Sequence, residues 1–381
     1  MSDLKILMKS ELKEKVCVVV GTRPGIIKFS PIIRELINRD ISFFILHTGQ
    51  HYSYEMDKIF FDDLELTEPK YHIDEVYKEK FHGGQTAKML IGAEQALLKE
   101  KPCVVLVGGD ANTNFSGALA ARKLGISVGH IEAGLRSNDW RMPEEHNRIM
   151  IDHISEYLFA PTDDAKKNLI RDNVKGQIFV TGNTIVDAVS QNILISERKS
   201  NILNVLKLKK DNYFLLTIHR EENVDYKENF KNILSGIKKI SDQYEYPIIF
   251  PAHPRTVKRL NYFKLIPLID KIHNLNIIPP QGYLDFLMLL KNCNLILTDS
   301  GGIQEESCIL KIPCVTLREN TERPETLKVG SNYVSGSSPS KILEGVRTML
   351  YKKRDWPNPF GEGASKKIIS IIEEEFNLGK K

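Results

Sequence analysis

Short apolar runs alternate with helical patterns along nearly the whole chain, and the rhythm runs through twice. Residues 16–20, 42–46, 103–107, 127–131 and 157–160 have the length and composition of buried strands. Segments 84–99 and 113–124 between them are helical, and Ile26, Ile27, Ile33, Leu36 and Ile37 form one helical stripe after the first strand. A polar stretch at 196–211 interrupts the pattern. Five further strands then follow at 213–218, 247–251, 276–278, 294–297 and 313–317. Apolar strands separated by helices are the pattern of parallel sheets covered on both faces.

The expected fold class is therefore α/β, with two Rossmann-like domains facing a cleft and ligands at the carboxyl ends of both sets of strands. The first domain spans 1–190, and a terminal amphipathic helix within 360–381 packs back on it. The second spans 191–359. A charged fraction of 27% and a hydrophobic fraction of 41% fit a soluble globular protein. The formal net charge of +4 is too small for a dedicated nucleic-acid binder and suits an anionic small molecule. No apolar run approaches a membrane span, and the charged N-terminus is not a signal peptide. The five cysteines lack CxxC spacing, and Cys17, Cys103 and Cys314 read as small core residues, consistent with a reducing cytoplasm.

The densest chemistry lies in TDSGGIQEESCILKIPCVTLRENTERPET, residues 298–326. An apolar strand runs into Ser300, Gly301 and Gly302, where a helix begins. Paired glycines admit a ligand close to the backbone, and the first helical N–H groups attract phosphate. Glu305 and Glu306 follow one turn later, where a carboxylate could accept bonds from ribose hydroxyls. Arg318 and Arg323 could face the same anion. The plainer alternative is a surface turn with solvated charges.

The GTRPG loop, with Arg23 and then Lys28, follows the first strand and is a reasonable diphosphate clamp. It lacks GxGxxG spacing, so no dinucleotide cofactor is indicated. Asp110 and Glu132 sit just past two adjacent strands, where crowded carboxylates would raise each other's pKa and supply a general acid and a general base. Glu144 and Glu145 follow Pro143 at a helix start, where acids also serve the helix dipole. His219, at a strand end before Arg220, is a candidate substrate contact; His253 is a weaker one. His47, Gln50 and His51 could serve a ligand or cap a helix. No HxH, HExxH or cysteine cluster suggests a metal.

Taken in order, GTRPGIIKFSP, HTGQHY, HIEAGLR, MPEEHNR, the His219 loop, TDSGGIQEE and TERPE resemble the non-hydrolysing UDP-N-acetylglucosamine 2-epimerases over essentially the whole chain. The resemblance implies a GT-B-type architecture, a homodimer, and neither NAD nor metal. It implies catalytic roles for Asp110, Glu132, Glu144 and His219. It implies phosphate-side roles for Arg23 and Lys28, with Arg148 also binding substrate. Gln281 and Phe286 would hold uracil, Phe286 by stacking. Ser300, Gly301 and Gly302 would hold the diphosphate, Glu306 the ribose, and Arg323 would be the last cation. Gly25, Ile218, Asn112 and Asn114 depart from the family pattern near the expected sugar pocket, which leaves the hexose substituents open.

The implied reaction is anti-elimination of UDP to 2-acetamidoglucal and re-addition from the opposite C2 face. A hydrolysing 2-epimerase that releases the free sugar, or a 2-epimerase of another UDP-2-acetamido sugar such as a diacetamido uronate, is the alternative. A glycosyltransferase would need an acceptor surface that the sequence does not reveal.

Overall fold

The computed structural model describes residues 12–50 and 54–379. Two compact units emerge. One ends at Ala188 and resumes at Phe360; the other is Val189–Pro359.

The first unit is built on seven parallel strands: β1 (Lys13–Val20), β2 (Phe43–His47), β3 (Tyr71–His72), β4 (Pro102–Gly108), β5 (Ser127–Ile131), β6 (Tyr157–Ala160) and β7 (Gln177–Val180). Their spatial order is β3-β2-β1-β4-β5-β6-β7. The order reverses between β1 and β4, and such a switch point opens a crevice at the strands' carboxyl ends. Val16 to Val20 of β1 are all buried, as a central strand covered on both faces must be. The helices that position side chains here are α1 (Arg23–Asn38), α2 (His82–Glu100), α3 (Asn112–Lys123) and α4 (Pro143–Ile154).

Helix α1 starts where the sequence supplies a cap and a preset φ. Thr22 accepts the Gly25 N–H at 3.2 Å, and Pro24 sits in the first turn. Its buried face is Ile26, Phe29, Ile33 and Leu36. Ile37, expected on that stripe, is 48% exposed, and Ile27 is only half-buried. The true period runs through Phe29.

The second unit has six parallel strands: β8 (Phe214–Thr217), β9 (Ile248–Pro251), β10 (Leu275–Ile278), β11 (Leu295–Thr298), β12 (Cys314–Thr316) and β13 (Asn332–Val334). Their order, β10-β9-β8-β11-β12-β13, repeats the first sheet's and reverses between β8 and β11. Alternate residues of β8 face opposite layers. Phe214 and Leu216 join one apolar cluster; Leu215 joins another. Two helices matter for function, α5 (Tyr283–Asn292) and α6 (Gly301–Ile309).

The last helix, α7 (Ala364–Phe376), lies in the first unit and buries Ile368, Ile369 and Ile372. Arg39, which caps α1, holds Glu373 at 2.7 Å. All five cysteines are buried free thiols.

Candidate active site

Asp110 and Glu132 stand just past the ends of neighbouring strands. Gly108 pairs with Ile131 in the β4–β5 register, so each acid follows its strand by one or two residues. The expectation was two carboxylates crowding each other; the structure instead gives each its own cation. Lys28 Nζ lies 2.6 Å from Glu132 Oε2. Arg148 Nη2 bonds Asp110 Oδ2, and Arg148 Nη1 bonds Glu145 Oε2 at 2.8 Å. Lys28, expected on diphosphate, thus has its ammonium on an acid. Arg148, expected on substrate, is buried between two carboxylates. A cation at hydrogen-bond distance orients its carboxylate. The second oxygen of Glu132, Oε1, is buried and has no hydrogen-bond partner among the described residues. Such an atom is costly unless something else completes it.

Helix α4 does more of this work than the sequence disclosed. Asn147 Nδ2 donates to the Asp110 carbonyl at 2.9 Å and to Asn112 Oδ1 at 3.0 Å. Glu145, an acid in the first turn of α4, accepts from the Ser137 N–H and hydroxyl and from the Asn138 N–H. It fixes the loop leading into α4 as well as Arg148. Glu144, in the first turn, is half-buried. Arg23 begins α1, with its guanidinium 5.9 Å from the Phe60 ring centre.

Other expected groups face inward. Gln50 Oε1 accepts the Thr113 N–H at 3.0 Å and the Thr113 hydroxyl at 2.7 Å, tying the loop after β2 to the start of α3. His47 stacks on His72 with ring centres 4.8 Å apart. Burial first, then the nearby His72, pulls the His47 imidazole down to about 3. His51 lies outside the described residues. The departures from the family pattern are likewise structural. Asn114 bonds both the N–H and the carbonyl of Gly108, at 3.1 and 2.6 Å, and Ile218 is in the core.

In the second unit, β8 and β11 end side by side, with the Thr217 and Thr298 hydroxyls 2.6 Å apart. His219 stands two residues past β8 and Asp299 one residue past β11. Asp299, fully buried, accepts the N–H groups of His219 and Arg220, each at 2.9 Å, and Asn223 Nδ2 at 3.1 Å. His219 Nδ1 lies 3.0 Å from Asp299 Oδ1, while 45% of the His219 side chain is exposed. Burial alone would push the Asp299 carboxyl up; the bonds from His219, the Arg220 N–H and Asn223 outweigh it and hold it below the usual carboxylate range. The result is an oriented imidazole with an open edge. His253 caps a helix instead, accepting the Arg255 N–H at 3.2 Å.

Ser300, Gly301 and Gly302 open α6 with neither a side-chain cap nor an acid in the first turn. Its leading N–H groups are therefore open to an anion. Arg323 pairs with buried Glu305 at 2.7 Å, and Arg318 with Glu222 at 2.6 Å, so both cations carry a protein counter-charge. Arg318 Nη1 nonetheless remains buried without a hydrogen-bond partner among the described residues. Glu306 is buried within α6. Phe286 is half-buried on α5 and Gln281 precedes that helix, its amide donating to the Pro279 carbonyl at 2.7 Å.

Sequence reasoning missed Asn147, Asp152 and the role of Asp299. Asp299 had a readable signal, an acid just past a strand at a glycine turn. The other two act across distances of 20 residues or more along the chain.

Among the described residues no group of three His, Cys, Asp or Glu could hold a metal ion, and no helix is long and apolar enough to cross a membrane. A family profile described as UDP-N-acetylglucosamine 2-epimerase matches residues 34–373. The UDP-N-acetylglucosamine 2-epimerase of Methanocaldococcus jannaschii is 55% identical over 363 residues, 94% of this chain and 98% of that one. A crystal structure of the M. jannaschii UDP-GlcNAc 2-epimerase with UDP-GlcNAc and UDP superposes with a TM-score of 0.86 at 55% identity, covering 94% of this chain and 99% of that chain. The UDP-2,3-diacetamido-2,3-dideoxy-D-glucuronate 2-epimerase of Pseudomonas aeruginosa is 37% identical over 94% of this chain and 99% of that one. The chain belongs to the UDP-N-acetylglucosamine 2-epimerase family.

Proposed function

We propose that the protein is a non-hydrolysing isomerase that interconverts UDP-N-acetylglucosamine and UDP-N-acetylmannosamine by elimination and re-addition of UDP. The observation that carries this reading is the pair of cation-held carboxylates at adjacent strand ends, with Glu132 Oε1 buried and open. A C2 proton in a sugar is very weakly acidic. Departure of the diphosphate builds positive charge at C1 and acidifies that proton. The C1–O bond breaks with its electron pair going to UDP, a carboxylate takes the C2 proton, and a C1=C2 double bond forms. Re-addition of UDP at C1 with protonation of the other C2 face completes the inversion.

Asp110 and Glu132 exchange the C2 proton and Glu144 assists; acid–base groups of this kind are worth about 10²–10⁴-fold. In the second unit, Ser300, Gly301, Gly302 and Arg323 stabilise the departing diphosphate, at about 3–4 kcal/mol per well-placed donor. His219 contacts the diphosphate or sugar, Glu306 the ribose, and Gln281 with Phe286 the uracil. Arg23 serves the phosphate side, while Lys28 and Arg148 hold the two acids. Incubation with UDP-N-acetylglucosamine in D2O, followed by proton NMR, tests the route. Deuterium enters C2 as the epimer forms; epimer without deuterium excludes it, and free N-acetylmannosamine identifies a hydrolysing enzyme.

A second reading, a diacetamido uronate as the hexose, is favoured by the likeness to the P. aeruginosa enzyme. A panel of UDP-hexoses scored for C2 deuterium separates the two. We also propose a homodimer working in a reducing cytoplasm. Ile91 and Leu98, 57% and 41% exposed on α2, support a self-contact there, and five free thiols support the compartment. Light scattering at defined concentration tests the dimer; a monomer overturns it.

A further inference from the structure

The HIEAGLR motif carries two residues beside Glu132 that proton transfer leaves unexplained, His130 and Arg136. Both end on one carboxylate. His130 Nδ1 lies 2.7 Å from Asp152 Oδ1, and Arg136 Nη2 lies 2.7 Å from Asp152 Oδ2. The Gly134 N–H donates to the same Oδ2 at 3.2 Å. At its other edge, His130 Nε2 lies 3.0 Å from the Gly109 carbonyl oxygen. His130 and Asp152 are both fully buried.

We propose that His130 and Asp152 are positioning residues that fix the backbone flanking both acids, Asp110 and Glu132, and so set the separation of the two carboxylates. The inference rests on the epimerase reading of those acids. Glu132 has φ +66°, a left-handed backbone that a residue with a side chain keeps only when its surroundings impose it. Two residues earlier His130 is anchored by Asp152; two residues later the Gly134 N–H is anchored by the same carboxylate. Gly134 itself has φ +82°, and a Cβ there would stand 2.3 Å from the Ala165 carbonyl oxygen, so only glycine fits this turn. Through Nε2 the ring also reaches across to Gly109, the residue before Asp110.

One buried carboxylate on α4 therefore controls two strand ends. The ring thus spans from the Asp152 carboxylate at one edge to the Gly109 carbonyl at the other. Gly134 and Arg136 supply the remaining donors to Asp152, and Asp172 sits on the far edge of Arg136 at 2.9 Å. A misplacement of a reacting group by about 1 Å costs about 100-fold in rate.

The test compares the parent enzyme with Asp152→Asn and His130→Asn in one C2 deuterium-exchange assay, with UDP calorimetry and thermal unfolding alongside. Exchange kcat falls about 100-fold in both variants, with KM and UDP affinity unchanged. A variant that is less heat-stable yet exchanges at the parental rate per folded molecule overturns the proposal. Should either variant fail to fold, NMR of the parent labelled with 15N-histidine still decides. A His130 ring with both nitrogens in hydrogen bonds supports the bridge, and a ring nitrogen outside any hydrogen bond overturns it. Absence of exchange in the parent defeats the activity reading instead, and the two failures stay distinct.

Discussion

Each unit places a histidine against a fully buried aspartate, and the two pairs have opposite surroundings. In the first, His130 has both ring edges occupied, one by Asp152 and one by a backbone carbonyl. In the second, His219 offers Asp299 one edge, and its Nε2 has no protein partner among the described residues. The same two side chains thus make a strut in one sheet and an oriented, accessible imidazole in the other. Position decides the difference. His130 lies within β5, whereas His219 stands two residues past the end of β8. On the proposed reading, strand interiors serve as scaffold and the first residues beyond them carry the chemistry.

If that division holds, the largest losses come from residues just past the strands of the first unit. Glu132→Gln and Asp110→Asn keep size and hydrogen bonding but remove the base, so C2 exchange drops by about 10²–10⁴-fold. Calorimetry on the same samples shows UDP affinity retained, since the nucleotide is assigned to the second unit. Parental turnover in either variant would remove that residue from the proton relay.

Asp299→Asn comes next. It frees the His219 ring from its orienting carboxylate, and turnover falls by about 10²-fold, the lower end for a group of this kind. A pH effect accompanies it. The native Asp299 carboxyl titrates below its unfolded value near 3.9, so its stabilisation is complete above that value and is lost as pH falls through the native one. Thermal scans of Asp299→Asn below about pH 4 therefore show a shallower acid limb than the parent. An unchanged limb would mean that the carboxylate does not contribute as described.

His47 sharpens the contrast, since it is a second fully buried imidazole and it stacks on another ring, His72. Its native pKa of about 3 lies below the unfolded value of about 6.5, so the unfolded chain binds the extra proton between them. Stability then declines as pH falls from about 6.5 toward 3, at up to about 1.4 kcal/mol per pH unit from this group. Replacing His47 with Gln removes that slope between pH 6 and 4, measured by chemical denaturation. Retention of the full slope in the variant assigns it to other groups.

The central strands were legible because burial on both faces leaves an unbroken apolar run, as in 103–107 and 127–131. Three of the four edge strands were not. β3 and β13 have two and three residues, and β7 is half-exposed with a polar first residue. A strand paired on one side needs less apolar surface and leaves a weaker trace. The position of Asp110, Glu132 and His219 just past strand ends was legible, because a loop acid or histidine after an apolar run is a local pattern. The ion pairs that hold the acids were not legible. Which anion Lys28 or Arg148 faces depends on where a second strand or helix returns, and local spacing carries no information about that. Asp152 was invisible for the same reason: on α4 it reads as one more polar helix residue.

The smallest effect tests the helix starts that the two units present to their switch points. Helix α1 has its first turn capped by Thr22; α6 has no cap, and glycines stand where one turn of side chains would crowd the N–H groups. A Cβ at Gly302 would meet nothing within 4 Å, so Gly302→Ala fits without rearrangement. Alanine is the better helix former by up to about 1 kcal/mol, and the variant gains stability of that order or stays level. If a diphosphate approaches the backbone there, the added methyl obstructs it, and UDP affinity falls about tenfold, or about 1.4 kcal/mol. Higher stability with weaker UDP binding is the signature of a glycine kept for its ligand. Higher stability with unchanged binding would mean that the phosphates rest elsewhere, with Arg318 and its buried Nη1 the next place to look.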